Sequence, residues 1–204
     1  MQAVTVIEGI AAALLRENID TDVIIPSRDI TTPSRDGLGP RAFAPWRYLN
    51  GCAEEDPGFV LNRAPWRHAP ILISGANFGC GSSREMAVWA LAQYGIRCIV
   101  APSFGAIFRN NCVRNALLPI ELPADVVATL AAAAQVQALV LTVDLSALEL
   151  RGPGGIHHRF ALPDDDREML LSGQDAIDRT WQWRAEIEAY EAKDRALRPW
   201  AWIA

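Results

Sequence analysis

The sequence predicts an α/β fold with parallel strands, and three observations carry that reading. The apolar runs Ile71-Leu-Ile73, Arg97-Cys-Ile-Val-Ala101 and Leu117 to Leu122 lack the alternation of a half-exposed strand, as expected where both sheet faces are covered. Helical text lies between them, at Met86-Ala-Val-Trp-Ala-Leu91 and around Phe104 to Arg109. Gly95, Pro102 and Pro119 punctuate the order, giving strand, helix, strand, helix, strand.

Taken along the chain, Val4-Thr-Val-Ile7 is a first strand, followed by an Ala/Leu-rich stretch to Arg16. Asn18-Ile-Asp-Thr-Asp22 comes next, and Val23-Ile-Ile25 stops at Pro26. Residues 27 to 70 are rich in Pro, Gly, Arg and aromatic residues, so a long loop region is expected, ordered by Phe43, Trp46, Tyr48, Phe59 and Trp66. Pro123-Ala-Asp125 opens an alanine-rich helix to about Gln137. Leu139 to Leu145 and His158 to Leu162 flank Gly152-Pro-Gly-Gly155, which predicts a β-hairpin. Asp164-Asp-Asp166 suits a helix N-terminus. A final helix runs from Asp175 to about Ala196, with Ile177, Trp181, Arg184, Ile187 and Tyr190 at helical spacing, a stripe expected to serve packing.

At 204 residues and 22.3 kDa, with half its residues hydrophobic, the chain can bury a substantial core. Its net charge of −5 and pI near 5.2 argue against nucleic acid or an anionic membrane as main partner. The N-terminal text has neither the charged start nor the apolar core of a secretory signal, and there is no run of about 18 apolar residues. A cytoplasmic protein is therefore expected. Cys52, Cys80, Cys98 and Cys112 have no CxxC or Cys-His spacing, so they are expected to be reduced thiols that form no metal site of their own. His68, His157 and His158 have no partner arrangement and are read as non-catalytic.

The most informative stretch is Gly75-Ala-Asn-Phe-Gly-Cys-Gly-Ser-Ser-Arg-Glu85, at the junction of a strand and a helix. Gly79 and Gly81 permit close backbone approach, a new helix offers unpaired N–H groups, and Arg84 adds a fork suited to a carboxylate. A small acidic metabolite is the indicated ligand class. Spacing excludes a dinucleotide fingerprint, a Walker loop and a hydrolase elbow, because positions 84 and 85 are Arg and Glu and this stretch holds no lysine. Ser82 and Glu85 also fit a capping box, so two readings of Ser82 stand, helix cap and reactive hydroxyl. A reactive hydroxyl would need neighbouring donors or cations to stabilise its alkoxide.

Asn18 to Asp22 reads as an Asx-type turn, since the remaining ligands of a calcium loop are missing. Arg28, Arg35, Arg41 and Arg47 are each compatible with a surface position. Asn110-Asn111 and the amide-rich text to Pro119 form either a turn or a second wall of the anion site.

In this order the segments resemble the small subunit of 3-isopropylmalate dehydratase, in the aconitase superfamily. The resemblance rests on Glu17-Asn-Ile-Asp-Thr-Asp-Val-Ile-Ile-Pro26, Gly37-Leu-Gly39, Trp46-Arg47 and the string Asn77 to Glu85 with Trp89-Ala-Leu91. It continues through Ala101-Pro-Ser-Phe104, Ile107-Phe108, Asn110-Asn111 and Leu117-Leu-Pro119, and ends near Ala189-Tyr-Glu-Ala192. It implies a single swivelling β/β/α domain over 1–204, resembling the aconitase C-terminal domain, with a substrate-covering loop at 27–70 and a helical segment at 164–204. It implies Ser82 as catalytic base, with Ser83, Arg84, Arg35 and Asn77 binding substrate. It also implies a heterodimer with a large subunit that carries the four-iron four-sulfur cluster, the pair isomerising 2- and 3-isopropylmalate by dehydration and rehydration in leucine biosynthesis. The alternatives are a paralogous hydro-lyase subunit acting on another malate-like acid, such as methylmalate or citraconate, and a non-catalytic carboxylate-binding module. One departure is Met86, where the family usually has histidine.

Overall fold

The structure is a computed structural model that describes residues 1–30, 34–50, 54–82 and 84–202. Its chain forms two compact units, Met1–Gly173 and Gln174–Ala204.

The first strand, β1 (Val6–Leu14), starts later than expected and runs through the Ala/Leu-rich stretch. Ala11 and Ala12 are fully buried because this strand lies in the middle of the sheet. There follow α1 (Thr21–Ile24), α2 (Ala44–Arg47) and a small hairpin of β2 (Tyr48–Leu49) and β3 (Glu54–Glu55). The parallel unit is β4 (Ile71–Ser74), α3 (Glu85–Tyr94), β5 (Cys98–Ala101), α4 (Ala106–Arg114) and β6 (Leu118–Glu121), in the predicted alternation. The first unit ends with α5 (Ala124–Val136), β7 (Val140–Asp144), β8 (Glu149–Arg151), β9 (His157–Arg159) and α6 (Asp164–Ser172).

Seven strands share one sheet in the order β6-β5-β4-β1-β7-β8-β9. From β6 to β1 the pairing is parallel, and from β1 to β9 it is antiparallel, so β1 is the seam. The hairpin at Gly152–Gly155 joins β8 to β9. Leu139 to Leu145 does not pair with 158–162 but lies between β1 and β8, a strand whose three residues carry too little pattern to predict.

Residues of the parallel strands alternate between two cores. Ile71, Ile73, Cys98 and Val100 face Val127, Leu130 and Ala134 of α5. Leu72, Ile99 and Ala101 face Ala87, Val88 and Leu91 of α3 and the buried Phe43, Phe78 and Phe108. With both faces covered, β4 and β5 are apolar at every position but the terminal Ser74.

The 27–70 region is ordered where described. Phe43 is fully buried between Trp46 and Phe59, with ring centroids 6.3 and 6.0 Å away. Arg47, expected at the surface, is only 5% exposed. Its guanidinium donates to Asn62 Oδ1 at 3.1 Å and to the carbonyls of Pro40 and Ala42, and it stacks on Tyr94 at 4.6 Å. With Glu55 Oε1 at 3.5 Å, four acceptors and an aromatic face replace its water, which makes burial of the charge tolerable.

In the C-terminal unit the single expected helix is two, α7 (Ala176–Thr180) and α8 (Arg184–Leu197), separated by a 3-10 turn at Trp181–Trp183. Asp175 caps α7, accepting from the N–H groups of Ile177 and Asp178. Trp181 and Tyr190 are 59% and 63% exposed, so the stripe expected to serve packing is open to solvent.

Candidate active site

The site forms at the carboxyl ends of β1, β4 and β5, where open α/β sheets place their ligands. Leaving β1 and β4, the chain continues as two adjacent loops zipped by backbone hydrogen bonds. Asn18 N–H donates to Ala76 O (2.9 Å), Gly79 N–H to Ile19 O (2.7 Å) and Thr21 N–H to Cys80 O (3.0 Å). The loop after β5 closes the other side, with Phe78 N–H on Ser103 O, Gly105 N–H on Phe78 O, and Asn77 N–H on Ser103 Oγ at 2.9 Å.

This crowding explains Gly79. A Cβ there would stand 2.1 Å from the Phe108 ring, and its φ of +73° is left-handed. Asn18 and Asn77 also take left-handed φ values of 55° and 58°, which asparagine tolerates better than most residues. Asn77 Nδ2 donates to Asn18 Oδ1 at 2.8 Å, so the two amides hold each other across the junction.

Ser82 does not cap the helix. The N-cap of α3 is Arg84, with no side-chain capping bond, and the Glu85 carboxylate instead accepts from Asn115 Nδ2 at 2.9 Å. The capping-box expectation fails because Asn115 takes the glutamate and Ser82 lies two residues before the N-cap. Its exposed hydroxyl stands 3.3 Å from Thr21 Oγ1, whose residue is fully buried at the first turn of α1. Thr21 is held from both sides, by its N–H on Cys80 and by Asp20, which caps α1 through Val23 N–H at 2.8 Å. Asp20 therefore has the local turn role expected of it.

Arg84 makes a two-pronged pair with Asp22, at 2.5 and 3.3 Å. The Arg84 hydrogen bonds, helped by its charge and by Ser27, hold the Asp22 carboxyl below the usual carboxylate range, against the opposing effect of burial. Arg35 comes from a separate segment, with its guanidinium stacked 4.6 Å from the centre of the Trp89 ring on α3. Asn77, Ser82 and Arg84 thus each pair with the segment from Asn18 to Asp22, Arg35 reaches α3 from the loop, and Ser83 lies outside the described residues. Asn110 and Asn111 lie within α4, not in a turn, and it is Asn115 that links α4 to α3 through Glu85 and the Trp89 indole at 2.9 Å.

Sequence reasoning missed Thr21, Ser103 and Gln93 as partners in this region. Thr21 and Ser103 stood inside segments already singled out; Gln93 has no local signal. The site is open. The cavity of about 440 Å³ lined by Arg16, Phe59 and Trp66, and that of about 510 Å³ along α6, include none of Ser82, Arg84, Arg35 or Asn77.

Among the described residues no group of three or more His, Cys, Asp or Glu side chains converges as a metal site. Cys98 and Cys112 are wholly buried and burial pushes their thiols up, while Cys80 is raised by burial and by Asp20. These thiols do not fit a cluster, which needs several converging thiolates. No helix among the described residues is long and apolar enough to cross a membrane.

A sheet with a parallel half and an antiparallel half, carrying an open Asn-Gly-Ser-Arg junction at its carboxyl edge, defines a domain of the aconitase C-terminal type, and residues 1–125 match the family model described as Aconitase C-terminal domain. The 3-isopropylmalate dehydratase small subunit of Cupriavidus necator is 52% identical over 203 residues, covering 98% of each chain. That of Rhodospirillum centenum is 50% identical over 202 residues, covering 98% of this chain and 99% of the relative. The crystal structure of 3-isopropylmalate dehydratase from Methanocaldococcus jannaschii superposes with a TM-score of 0.64 at 26% identity, over 91% of this chain and 99% of that one. The chain belongs to the family of 3-isopropylmalate dehydratase small subunits, hydro-lyase subunits of the aconitase superfamily.

Proposed function

We propose that this chain supplies the proton-transfer and carboxylate-binding half of an active site completed by a large subunit, which carries the four-iron four-sulfur cluster. The pair interconverts 2- and 3-isopropylmalate in leucine biosynthesis. The observation that carries this is the Ser82 hydroxyl, free of any capping duty, exposed at an open junction and backed by a buried threonine hydroxyl. The openness itself favours a second chain as the other wall, and the donor set of this one does not suit the cluster. Its free thiols are consistent with a reducing cytoplasm, the compartment we propose.

In this reading Ser82 acts as the base. Its alkoxide takes a proton from the carbon beside a substrate carboxylate, and the C–H electron pair becomes the double bond of the intermediate as the neighbouring hydroxyl departs with its bonding pair as hydroxide, which the Lewis acid of the large subunit would accept. Hydroxide returned to one carbon of the double bond and the Ser82 proton to the other, in the reverse sense, complete the isomerisation and restore the alkoxide. An alkoxide needs donors, and Thr21 Oγ1 is placed to give one, with the Arg84 cation two residues along the chain. Arg84, with Ser83, binds one carboxylate, and Asp22 sets the direction of its fork before substrate arrives. Arg35 binds the second carboxylate from the loop, held flat against Trp89. Asn77, fixed by Asn18, donates its remaining amide hydrogen to the substrate.

The test is to assay isopropylmalate isomerisation by the chain alone, by a large subunit alone and by the two mixed. Activity only on mixing is expected. Turnover by the isolated chain would overturn the proposal.

A further inference from the structure

The loop that bears Arg35 is fastened to α3 by one side chain. Gln93 Oε1 accepts from the backbone N–H groups of Leu38 (3.0 Å) and Gly39 (3.2 Å), while its Nε2 donates to the carbonyl of Arg35 itself. One amide thus satisfies three backbone groups across the turn from 35 to 39. The approach is close, since a Cβ on Gly39 would stand 2.9 Å from the Gln93 backbone carbonyl carbon. The same helix supplies Trp89, one turn earlier, as the face on which the Arg35 guanidinium lies at 4.6 Å.

We propose that Gln93 is a positioning residue for the substrate carboxylate bound by Arg35. This rests on the proposed role of Arg35 in the active site. The side chains of Gln93 and Trp89 hold the two ends of Arg35, its carbonyl and its guanidinium, to a single rigid element. The N-terminus of that element is the Ser82–Arg84 junction, so α3 sets the spacing between the two carboxylate-binding arginines. A glutamine suits this place because its amide both accepts and donates, whereas a carboxylate would face the Arg35 carbonyl with no proton to share. Fixing the guanidinium in advance removes ordering that substrate binding would otherwise have to supply.

The experiment uses Gln93→Met, which keeps the side-chain length and removes all three hydrogen bonds, together with Gln93→Glu, Arg35→Ala and the Arg35→Ala/Gln93→Met double variant. Limited trypsin digestion of the full chain reads the latch through cleavage after Arg35 and Arg41. Kinetics of the complex with its large subunit read the function. The expected result is cleavage faster by about tenfold in Gln93→Met, and a KM for isopropylmalate raised by about tenfold with kcat changed far less. Gln93→Glu, which keeps an oxygen to accept from both N–H groups, is expected to recover part of each effect. In the double variant KM is expected to be no worse than in Arg35→Ala, because Gln93 acts through that residue. Unchanged cleavage would overturn the latch. Faster cleavage with an unmoved KM, or additive effects in the double variant, would overturn the positioning role while leaving the Ser82 proposal standing, since that is tested separately at Ser82.

Discussion

Thr21→Val isolates the contribution of the buried hydroxyl behind Ser82. Valine nearly matches threonine in shape and Thr21 is fully buried, so the change removes an oxygen without opening a void. In the resting state the Thr21–Ser82 contact is long at 3.3 Å, beyond the 2.5–3.0 Å usual for O–H···O bonds, and is worth under about 1 kcal/mol. Once Ser82 gives up its proton the same contact becomes charge-assisted and is worth about 1.5–3 kcal/mol. The difference, about 0.5–2 kcal/mol, is stabilisation that exists only with the charged base, and at 1.36 kcal/mol per tenfold it corresponds to a fall in kcat of about 2–30-fold. KM should stay within about twofold, because Thr21 lies beneath the serine and meets no substrate. Steady-state kinetics of the reconstituted complex measure both quantities, and a thermal melt of the isolated chain should show stability within about 1 kcal/mol of wild type. Thr21→Ser should retain most activity. A folded Thr21→Val with kcat within twofold of wild type, or with its loss wholly in KM, would refute the reasoning.

Gly79→Ala should cost about 2–5 kcal/mol in urea unfolding, from a left-handed φ of +73° and a methyl forced against the fully buried Phe108 ring; a loss below 1 kcal/mol would mean the junction is less crowded than described. Arg47→Ala should cost about 2–3 kcal/mol, since it strips charged donors from Asn62, Pro40 and Ala42, and loop proteolysis should quicken with it. The depressed pKa of Asp22 means its carboxylate stabilises the folded state above the ordinary carboxylate value near pH 4, and that contribution is lost as pH falls through the lower folded value. Asp22→Asn should therefore lose less stability than wild type between pH 5 and about pH 2; an identical acid slope would show that the Arg84 pair contributes nothing.

Much of the first unit was legible because its signals are local. Ile71–Ser74 and Cys98–Ala101 announce themselves by burial on both faces, and Gly79 and Gly81 mark a turn that few other residues can make. The helix from Ala124 follows directly from Pro123 at its cap. What was not legible depends on partners far along the chain. Ser82 looked like a cap because Glu85 stands at the right spacing, yet Asn115, 30 residues away, claims that glutamate. Thr21 and Ser82 meet across 61 residues, and Gln93 reaches a loop 54 residues before it. Arg47 carries a charge and so reads as surface until Tyr94 and four oxygens enclose it. In α8, Arg184, Ile187 and Tyr190 have the spacing of a packed face, but spacing alone does not say what covers it.

The central claim is that Ser82 is the base, and Ser82→Ala in complex with the large subunit tests it most directly. The account predicts a complex that still assembles, as judged by size-exclusion chromatography, with kcat reduced by about 10²–10⁴-fold and KM little changed. An assembled Ser82→Ala complex that turns over isopropylmalate within tenfold of wild type would contradict it.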